Sequence, residues 1–506
     1  MQSRQDQLRS HQFTVQRVVA ALVTRRTDPV RAPLGPMAGA TGVGVLVAIL
    51  ALAAVAGYGV LVDGGRADAG TQWRDGGVVI VERGTGARYV YREGRLHPVL
   101  NYASALLIIG SGQRRAVHVS ARSIEGVPRG VPLGIPGAPD SLPEPTRLVG
   151  TPWTLCSHLV DSGGGPVGSG SGRVGSGGRP GGRTGSVLFI GAQPDGAGPD
   201  GGRSMGDAGL LVRDPAGAVF LLWRSRRHLV REPSVVLSAL GWDARPVTPV
   251  AAALVNALPA GADLARIPIA GRGGWSPRLP GARVGEVFVV ESLSGGRQFA
   301  VALSRGLAAL TQVQADILLG DPLTARLLGQ TQPRRLDQGT YATLPKVGEV
   351  WPRGDLAPPA ATPNLTAVTA AGGVCAEVQD GTGGPDLRVD VRVPAAEETA
   401  VPAKETAVPA KALASRAGGG AVRADRVLVA PGRGVVVAAL ASPLAPAGAL
   451  SLVTDLGVRH DVPRHDVLAM LGYAAVRPVR LPAGLVALLP VGPALDPAAA
   501  RSPAAW

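Results

Sequence analysis

The longest run of apolar residues lies near the N-terminus. No charged residue occurs between Arg31 and Asp63, and the stretch from Ala38 to Val62 is Gly, Ala, Val, Leu and Ile apart from Thr41 and Tyr58. A helix of about 25 residues rises about 37 Å, which spans a hydrocarbon core of about 30 Å with some tilt. The pattern therefore predicts one transmembrane helix from Ala38 to Val62.

Positive charge is concentrated on the N-terminal side of this segment. Arginines there outnumber aspartates, whereas the residues after the segment mix both signs. The positive-inside bias predicts a single-pass protein of the plasma membrane, with residues 1–37 in the cytoplasm and residues 63–506 outside. A cleaved signal peptide stays open as an alternative, because Ala67-Asp68-Ala69 offers a cleavage site, although the apolar run is too long for an ordinary signal sequence.

Two finer patterns lie in this N-terminal region. Val15, Val18, Val19 and Leu22 share one face of a short cytoplasmic docking helix, which needs the membrane surface or another protein to cover it; the residues alone leave both open. Within the predicted span, the small residues recur four apart on one face, a spacing that lets a second helix pack closely; the chain's excess of glycine and alanine explains them equally well. These small residues are Ala40, Gly44 and Ala48.

A hydrophobic unit recurs at irregular distances after the membrane segment. Residues 220–242 and 452–473 both show the pattern of a strand, a tight turn, a strand and a short helix that ends at glycine. A third copy runs near 89–110 and a looser fourth near 288–320, with its turn at Gly296. Because tandem solenoids have a fixed period, these units are predicted to be modules around a separate central region.

Apolar alternation in residues 284–290 and 427–437 predicts further strands, so the fold class is α+β, weighted towards β. Two segments are predicted to be flexible surface insertions. Residues 161–186 are nearly all Gly, Ser and Arg, and residues 395–420 contain an exact duplication of Glu-Thr-Ala-Val-Pro-Ala-Lys.

Composition narrows the function classes. The net charge is +14, but the arginines are spread along the chain without a basic stripe, which argues against nucleic acid as a partner.

Cys156 and Cys375 are the only cysteines. In an oxidising compartment they predict one disulfide, with two buried free thiols as the alternative.

No catalytic, cofactor or metal site is predicted. The chain lacks a P-loop, so ATP would need an unusual site, and whether the protein is an enzyme stays uncertain, with the balance against it. Ser204 matches a nucleophile pattern but follows a loop rich in Pro, Gly and Asp rather than a strand. His97, His228 and His460 occupy one position of the repeated unit, which indicates a shared structural role rather than metal ligation.

Several segments, in order, resemble the EccB family of actinobacterial type VII (ESX) secretion systems. They are Arg4–Phe13 with the valine-rich helix after it, Pro98–Leu107, Ile135–Asp140, Trp153–Cys156, Gly373–Cys375 and Gly492–Asp496. The resemblance covers almost the whole chain, and the two insertions interrupt loops without removing a motif. It implies an elongated external domain with repeat modules around a central β-rich one, joined by a disulfide at Cys156 and Cys375.

The resemblance also implies a function. A family member is a structural subunit of the secretion complex, with EccC (an FtsK/SpoIIIE-like ATPase), EccD, EccE, other copies of itself and membrane lipid as partners. It implies that the N-terminal helix docks on protein. The leading hypothesis is a subunit that links the cytoplasmic motor to the external exit path for protein export. Two alternatives are a weak ATP-hydrolysing subunit, an activity ascribed to some family members, and a single-pass receptor or cell-wall-binding protein.

Overall fold

The computed structural model describes residues 4–25, 43–54, 72–160, 183–194, 202–292, 295–348, 357–379, 383–394 and 422–504. The chain divides into two compact units. The first comprises Met1–Asp75, Ile80–Ala87 and Ala116–Val127, and the second comprises Gly76–Val79, Arg88–Arg115 and Pro128–Trp506.

The helices are mostly short. They are α1 (Arg4–Thr24), α2 (43–54), α3 (Tyr102–Ile109), α4 (Pro233–Ala239), α5 (Ala252–Ala257), α6 (Gln312–Leu319), α7 (Pro322–Leu328), α8 (Gln338–Thr343), α9 (His465–Met470), α10 (Ala483–Val486) and α11 (Pro497–Ala500). Single 3-10 turns occur at Gln72–Asp75, Ala121–Ile124 and Pro145–Arg147.

The strands outnumber the helices in the described ranges. They are β1 (Val79–Glu82), β2 (Arg88–Arg92), β3 (Arg95–Pro98), β4 (Ala116–Val119), β5 (Trp153–Val160), β6 (Arg183–Ile190), β7 (Arg203–Ser204), β8 (Leu210–Arg213), β9 (Val219–Trp223), β10 (Arg226–Val230), β11 (Thr248–Pro249), β12 (Val287–Glu291), β13 (Arg297–Leu303), β14 (Gly306–Leu310), β15 (Arg334–Arg335), β16 (Gly373–Val378), β17 (Asp386–Val391), β18 (Arg426–Val429), β19 (Val435–Leu440), β20 (Ala449–Val453), β21 (Arg459–Val462) and β22 (Val479–Pro482). The fold is therefore α+β and weighted towards β, as the sequence predicts.

A six-stranded sheet lies at the centre of the second unit, in the order β18-β6-β5-β16-β17-β7. Its strands pair antiparallel except β18, which runs parallel to β6. Both faces are covered: Trp153 and Leu155 belong to the largest apolar core, whereas Cys156 and Val187 belong to a smaller core. Burial on both faces explains why β5 and β16 are rich in apolar residues.

Three four-stranded sheets of the second unit share one strand order. They are β10-β9-β8-β11, β14-β13-β12-β15 and β21-β20-β19-β22. In each, three consecutive strands pair antiparallel and the fourth joins the first in parallel, after one or more short helices. We call these the second, third and fourth modules. We call residues 88–115 the first module; they contain the antiparallel hairpin β2–β3 and the helix α3.

The modules of the second unit share apolar cores with their neighbours. The largest core combines the central sheet with residues of the second and fourth modules, including Leu222, Val437 and Leu485. A second core joins α6 of the third module to the second module, where Val313 and Ile317 pack with Trp242. Since apolar burial is the main stabilising term in folding, these cores fix the second and fourth modules to the central sheet and the third module to the second.

Two boundaries differ from the sequence predictions. In the third module the hairpin equivalent to β9–β10 is β13–β14, so its turn is at Ser304 and Arg305 rather than at Gly296. The predicted insertion at 161–186 extends too far, because β6 begins at Arg183. Gly185 takes part in this pairing opposite His158, where the absence of a side chain lets the strands approach.

Candidate assembly surfaces

The predicted disulfide is present in the central sheet. Cys156 on β5 and Cys375 on β16 are directly opposite in the antiparallel register, with an S–S distance of 2.04 Å. Both cysteines are fully buried. Because their sequence separation is 219 residues, the bond ties together the strands that precede and follow the second and third modules.

Three histidines hold a later segment against the last strand of each hairpin. In His97, His228 and His460, Nδ1 lies 2.9, 2.8 and 3.1 Å from a carbonyl oxygen located 34, 34 and 33 residues further along the chain. Since a carbonyl only accepts, Nδ1 donates in each case. The glycine just before each of these carbonyl residues lies against the imidazole, and a β-carbon there would overlap the ring. We call each pair a His–Gly latch; the glycines are Gly130, Gly261 and Gly492.

The third module replaces this latch with a different pair. A segment at Lys346 bridges Leu307 in parallel, as Ala260 bridges Arg227 in the second module. The next residues then correspond: Val347 donates its N–H to Leu307 at 2.8 Å, as Gly261 does to Arg227. Ala308 therefore stands at the histidine position and Val347 at the glycine position. In the third module the larger side chain of the pair is on the later segment, whereas in the latches it is on the strand.

The first and fourth modules meet at Arg114 and Tyr473. The guanidinium of Arg114 lies 4.3 Å from the centre of the Tyr473 ring and donates to the carbonyl of Leu471 at 2.9 Å. Both side chains also donate to the carbonyl of Pro143, each at 2.8 Å. Burial raises the pKa of Tyr473 to about 12, so its hydroxyl stays a donor at physiological pH.

A buried ion pair lies at the start of α7 in the third module, and Arg266 connects it to the second module. Asp321, at the N-terminus of α7, accepts from Arg272 at 2.7 Å and from Arg266 at 2.8 Å. Arg266 also pairs with Glu232 of the second module at 3.2 Å. Burial alone would raise the pKa of Asp321, but hydrogen bonds from the Leu323 N–H and the two arginines outweigh it and lower the pKa below its usual range.

An open cleft of about 1150 Å³ lies beside the turn between β9 and β10. Its lining includes Trp223, Pro259, Pro358 and Pro443 and, among the described residues, no carboxylate. Ser225 in this turn has a φ of 65°, a conformation that glycine adopts more readily. No sequence motif points to this cleft, because its wall is assembled from seven distant segments.

The predicted docking helix lies in α1. Val15, Val18 and Leu22 have exposed fractions of 48%, 54% and 79%, and Val19 is half-buried. These apolar side chains are thus available to a partner. Of the predicted packing face in the membrane segment, Gly44 and Ala48 lie in α2 and are exposed, whereas Ala40 lies outside the described residues.

The described parts of the chain hold no cluster of His, Cys, Asp and Glu that could bind a metal ion. Over the same ranges, no helix has both the length and the apolar character needed to cross a bilayer. The predicted span at 38–62 is described only at 43–54, and the second predicted insertion, 395–420, lies outside the described residues.

The chain is similar to proteins of one secretion system. Residues 2–504 match a family model described as "Type VII secretion system ESX-1, transport TM domain B". The relatives include the "ESX-3 secretion system ATPase EccB3" of Mycobacterium tuberculosis, 29% identical over 97% of this chain and 87% of the relative. Another is the "ESX-2 secretion system ATPase EccB2" of the same species, 28% identical over 83% of this chain and 80% of the relative.

Solved structures of ESX secretion complexes are also similar to this chain. A chain of the intact ESX-5 inner membrane complex matches with a TM-score of 0.60 and 26% identity, covering 100% of this chain and 96% of that one. The EccB3 dimer from the ESX-3 core complex matches with a TM-score of 0.57 and 27% identity, over 84% of this chain and 99% of that one.

Proposed function

Since this chain belongs to the EccB family of type VII secretion systems, we propose that it links the cytoplasmic motor of such a system to the external exit path. It is a structural membrane component of an ESX inner membrane complex. The match of the family model to residues 2–504, together with the likeness to a chain of the ESX-5 inner membrane complex, carries this conclusion.

The proposed topology follows from the sequence pattern. Residues 38–62 cross the plasma membrane once, residues 1–37 are cytoplasmic, and residues 63–506 form the external domain. The buried disulfide supports an external location, because such bonds persist in oxidising compartments. The four hairpin-and-helix units near 89–110, 220–242, 288–320 and 452–473 act as copies of one module around the central sheet.

The proposed partners are an EccC-like ATPase, EccD, EccE and other copies of this chain. The related EccB3 dimer of the ESX-3 core complex supports self-association. The apolar face of α1 docks on a cytoplasmic partner, and the small residues Ala40, Gly44 and Ala48 pack against a neighbouring helix in the membrane. Membrane lipid surrounds the rest of the span.

Purification in mild detergent tests the proposed function. A tagged full chain, expressed with its own secretion-system subunits, should bring down the EccC-like and EccD subunits in a stable complex. Recovery of the chain alone would favour a single-pass receptor or a cell-wall-binding protein instead. Replacing Ala40, Gly44 and Ala48 together with leucine should lower the yield of complex without preventing membrane insertion; an unchanged yield would remove any role for this face.

A weak ATPase is the second candidate, because the relatives EccB2 and EccB3 are named as secretion system ATPases. The chain has no P-loop to support it. Hydrolysis of ATP that remains with the purified full chain, after all other subunits are removed, would favour this candidate over a purely structural role.

A further inference from the structure

One tryptophan is displayed on the surface of the third module. The exposed fraction of Trp275 is 68%, although large aromatic side chains are usually well buried. It lies on a hairpin formed by residues 271–285, which we call the Trp275 hairpin, where it faces Arg283 across an antiparallel bridge. The guanidinium of Arg283 lies 5.0 Å from the centre of the indole ring.

The Trp275 hairpin is rigidly fixed. Within it, Gly273 donates its N–H to the carbonyl of Val284 at 2.8 Å, and Val284 donates its N–H to the carbonyl of Gly274 at 2.8 Å. Ser276 donates its N–H to the carbonyl of Ala282 at 2.9 Å. The hydroxyl of Ser276 also donates to the carbonyl of Leu303 on β13 at 2.8 Å. These bonds order the backbone that carries Trp275, so little backbone freedom is lost when the hairpin binds a surface.

The base of the hairpin is held by the buried ion pair described above. The side chain of Arg272 is only 5% exposed and donates to Asp321, to Thr324 at 3.0 Å and to the carbonyl of Ile267 at 2.6 Å. These contacts neutralise Arg272, so it does not contribute to the charge of the surface. They anchor the arm that carries Trp275 to α7.

The surface around the indole is positive and partly apolar. Residues 271–285 contain no carboxylate, and Arg278 and Arg283 are exposed. Neither forms an ion pair with any residue of the described ranges. The first carboxylate after the hairpin, Glu286, is paired with Arg334 at 2.7 Å. Leu327 of α7 adds an exposed apolar side chain beside Gly273.

Tryptophan and arginine together match one kind of surface particularly well. An indole prefers the headgroup level of a bilayer, and guanidinium groups pair with lipid phosphates. The proposed membrane span also keeps a bilayer surface near every copy of the external domain at high effective concentration. We propose that the Trp275 hairpin contacts the external face of the membrane and binds anionic phospholipid through Trp275, Arg278 and Arg283. This inference rests on the proposed topology.

Fluorescence quenching tests the contact. The full chain is reconstituted into vesicles of phosphatidylcholine and phosphatidylglycerol that carry brominated acyl chains, which quench nearby tryptophans. The wild type should lose more fluorescence than Trp275→Phe, by up to the share of one among the 7 tryptophans of the chain. Arg278→Gln with Arg283→Gln, or vesicles without phosphatidylglycerol, should remove that difference.

A matched control uses another tryptophan. Trp223 is also stacked with an arginine, at 4.7 Å, but is half-buried, and its indole N–H donates to the carbonyl of Asp207. Trp223→Phe should therefore leave the lipid-dependent quenching intact. Equal quenching in the wild type and Trp275→Phe would overturn the proposal. A Trp275 signal that depends on protein concentration and not on brominated lipid would also overturn it, in favour of contact with a second copy.

The failure of the topology is separable from the failure of this contact. Extraction of the reconstituted chain by alkaline carbonate would contradict the membrane span and with it the proposed function. A chain that resists extraction but shows no quenching at Trp275 would contradict only the lipid contact.

Discussion

Gly261 lies against the imidazole of His228 with no room for a β-carbon between them. The same contact joins Gly130 to His97 and Gly492 to His460. Each latch covers the outer edge of a hairpin with a segment that follows in the chain, which satisfies backbone groups that an edge strand would leave open. The third module reaches the same pairing with Ala308 and Val347.

Replacing the His–Gly latch of the second module with the residue pair of the third module gives the first prediction. Gly261→Ala should lower the free energy of unfolding by about 1–3 kcal/mol, because the new β-carbon overlaps the ring of His228. The double variant His228→Ala with Gly261→Val should recover part of this loss, because it copies the pair in the third module. Thermal unfolding of the purified full chain measures both.

Gly150→Ala is the control for this pair, because Gly150 is exposed and nothing lies within 4 Å of its β-carbon position. It should be close to neutral. Simple addition of the effects of the single variants His228→Ala and Gly261→Val would contradict a shared packing site.

Acid sensitivity is the second prediction. Burial lowers the pKa of His228 and of His460, although their backbone partners act in the opposite direction. Around His228, Arg226 disfavours the charged ring and Asp263 favours it. The unfolded chain binds the proton more readily than the folded chain. The stabilising contribution of the neutral histidines should therefore be fully present above the ordinary histidine pKa of about 6.5 and decrease as the pH drops below it. The measurement is the difference in melting temperature between about pH 7 and about pH 5. This difference should be smaller for the variant His228→Ala with Gly261→Val than for the wild type. An unchanged pH profile would contradict the role of His228.

The disulfide gives the third prediction. Replacing Cys156 and Cys375 together with alanine should cost about 2–5 kcal/mol of stability, since the bond restricts the unfolded chain. In the native wild type, both sulfurs should resist alkylation unless the protein is first unfolded and reduced, because both are fully buried. Peptide mapping under non-reducing conditions checks the bond directly, and two alkylated cysteines without reduction would contradict it.

The buried ion pair gives the fourth prediction. Arg272→Met leaves the carboxylate of Asp321 buried with one arginine fewer, and should cost about 3–5 kcal/mol. Because the pKa of Asp321 is lowered on folding, its contribution is present above the unfolded pKa of about 4 and is lost as the pH falls through the lower folded value. Asp321→Asn should remove this acid dependence from the melting profile. Arg278→Gln, an exposed arginine of the same module, is the control and should be nearly neutral.

The apolar face of α1 gives the fifth prediction. Val18→Asp with Leu22→Asp should reduce recovery of the cytoplasmic subunits several-fold, because a charge replaces an exposed apolar contact. Gln16→Asp adds a charge at another exposed position of the same helix and should leave recovery unchanged. Equal loss in both variants would indicate a general effect of charge, and no loss in either would remove the docking role.

The sequence predicts local features better than distant ones. The apolar run Phe220–Trp223 suffices to expect a strand, and two cysteines in an external domain permit only one intramolecular bond. The sequence pattern misplaces the turn in the third module because Ala308 replaces the histidine that marks the hairpin in the other modules. The signal for the latches is a histidine followed by a glycine 33, 33 or 32 residues later.

Long-range contacts of arginine are the least predictable part. Nothing in the local sequence distinguishes Arg272, which is buried against Asp321, from exposed Arg278 six positions later. The contact between Arg114 and Leu471 spans 357 residues, and neither end has an unusual neighbourhood. Such contacts depend on how the modules are arranged, which hydrophobic patterning does not specify.

In the proposed topology the domain is made on one side of the membrane and completed on the other, so the contact of Arg114 with Leu471 and Tyr473 sets an order of events. The first module cannot gain this partner until residues near 471 have emerged, and Leu133 waits for its bridge to Pro503 in the same way. An interrupted chain would leave that side of the first module uncovered and open to proteolysis. Complete translocation is thus a condition for a closed domain.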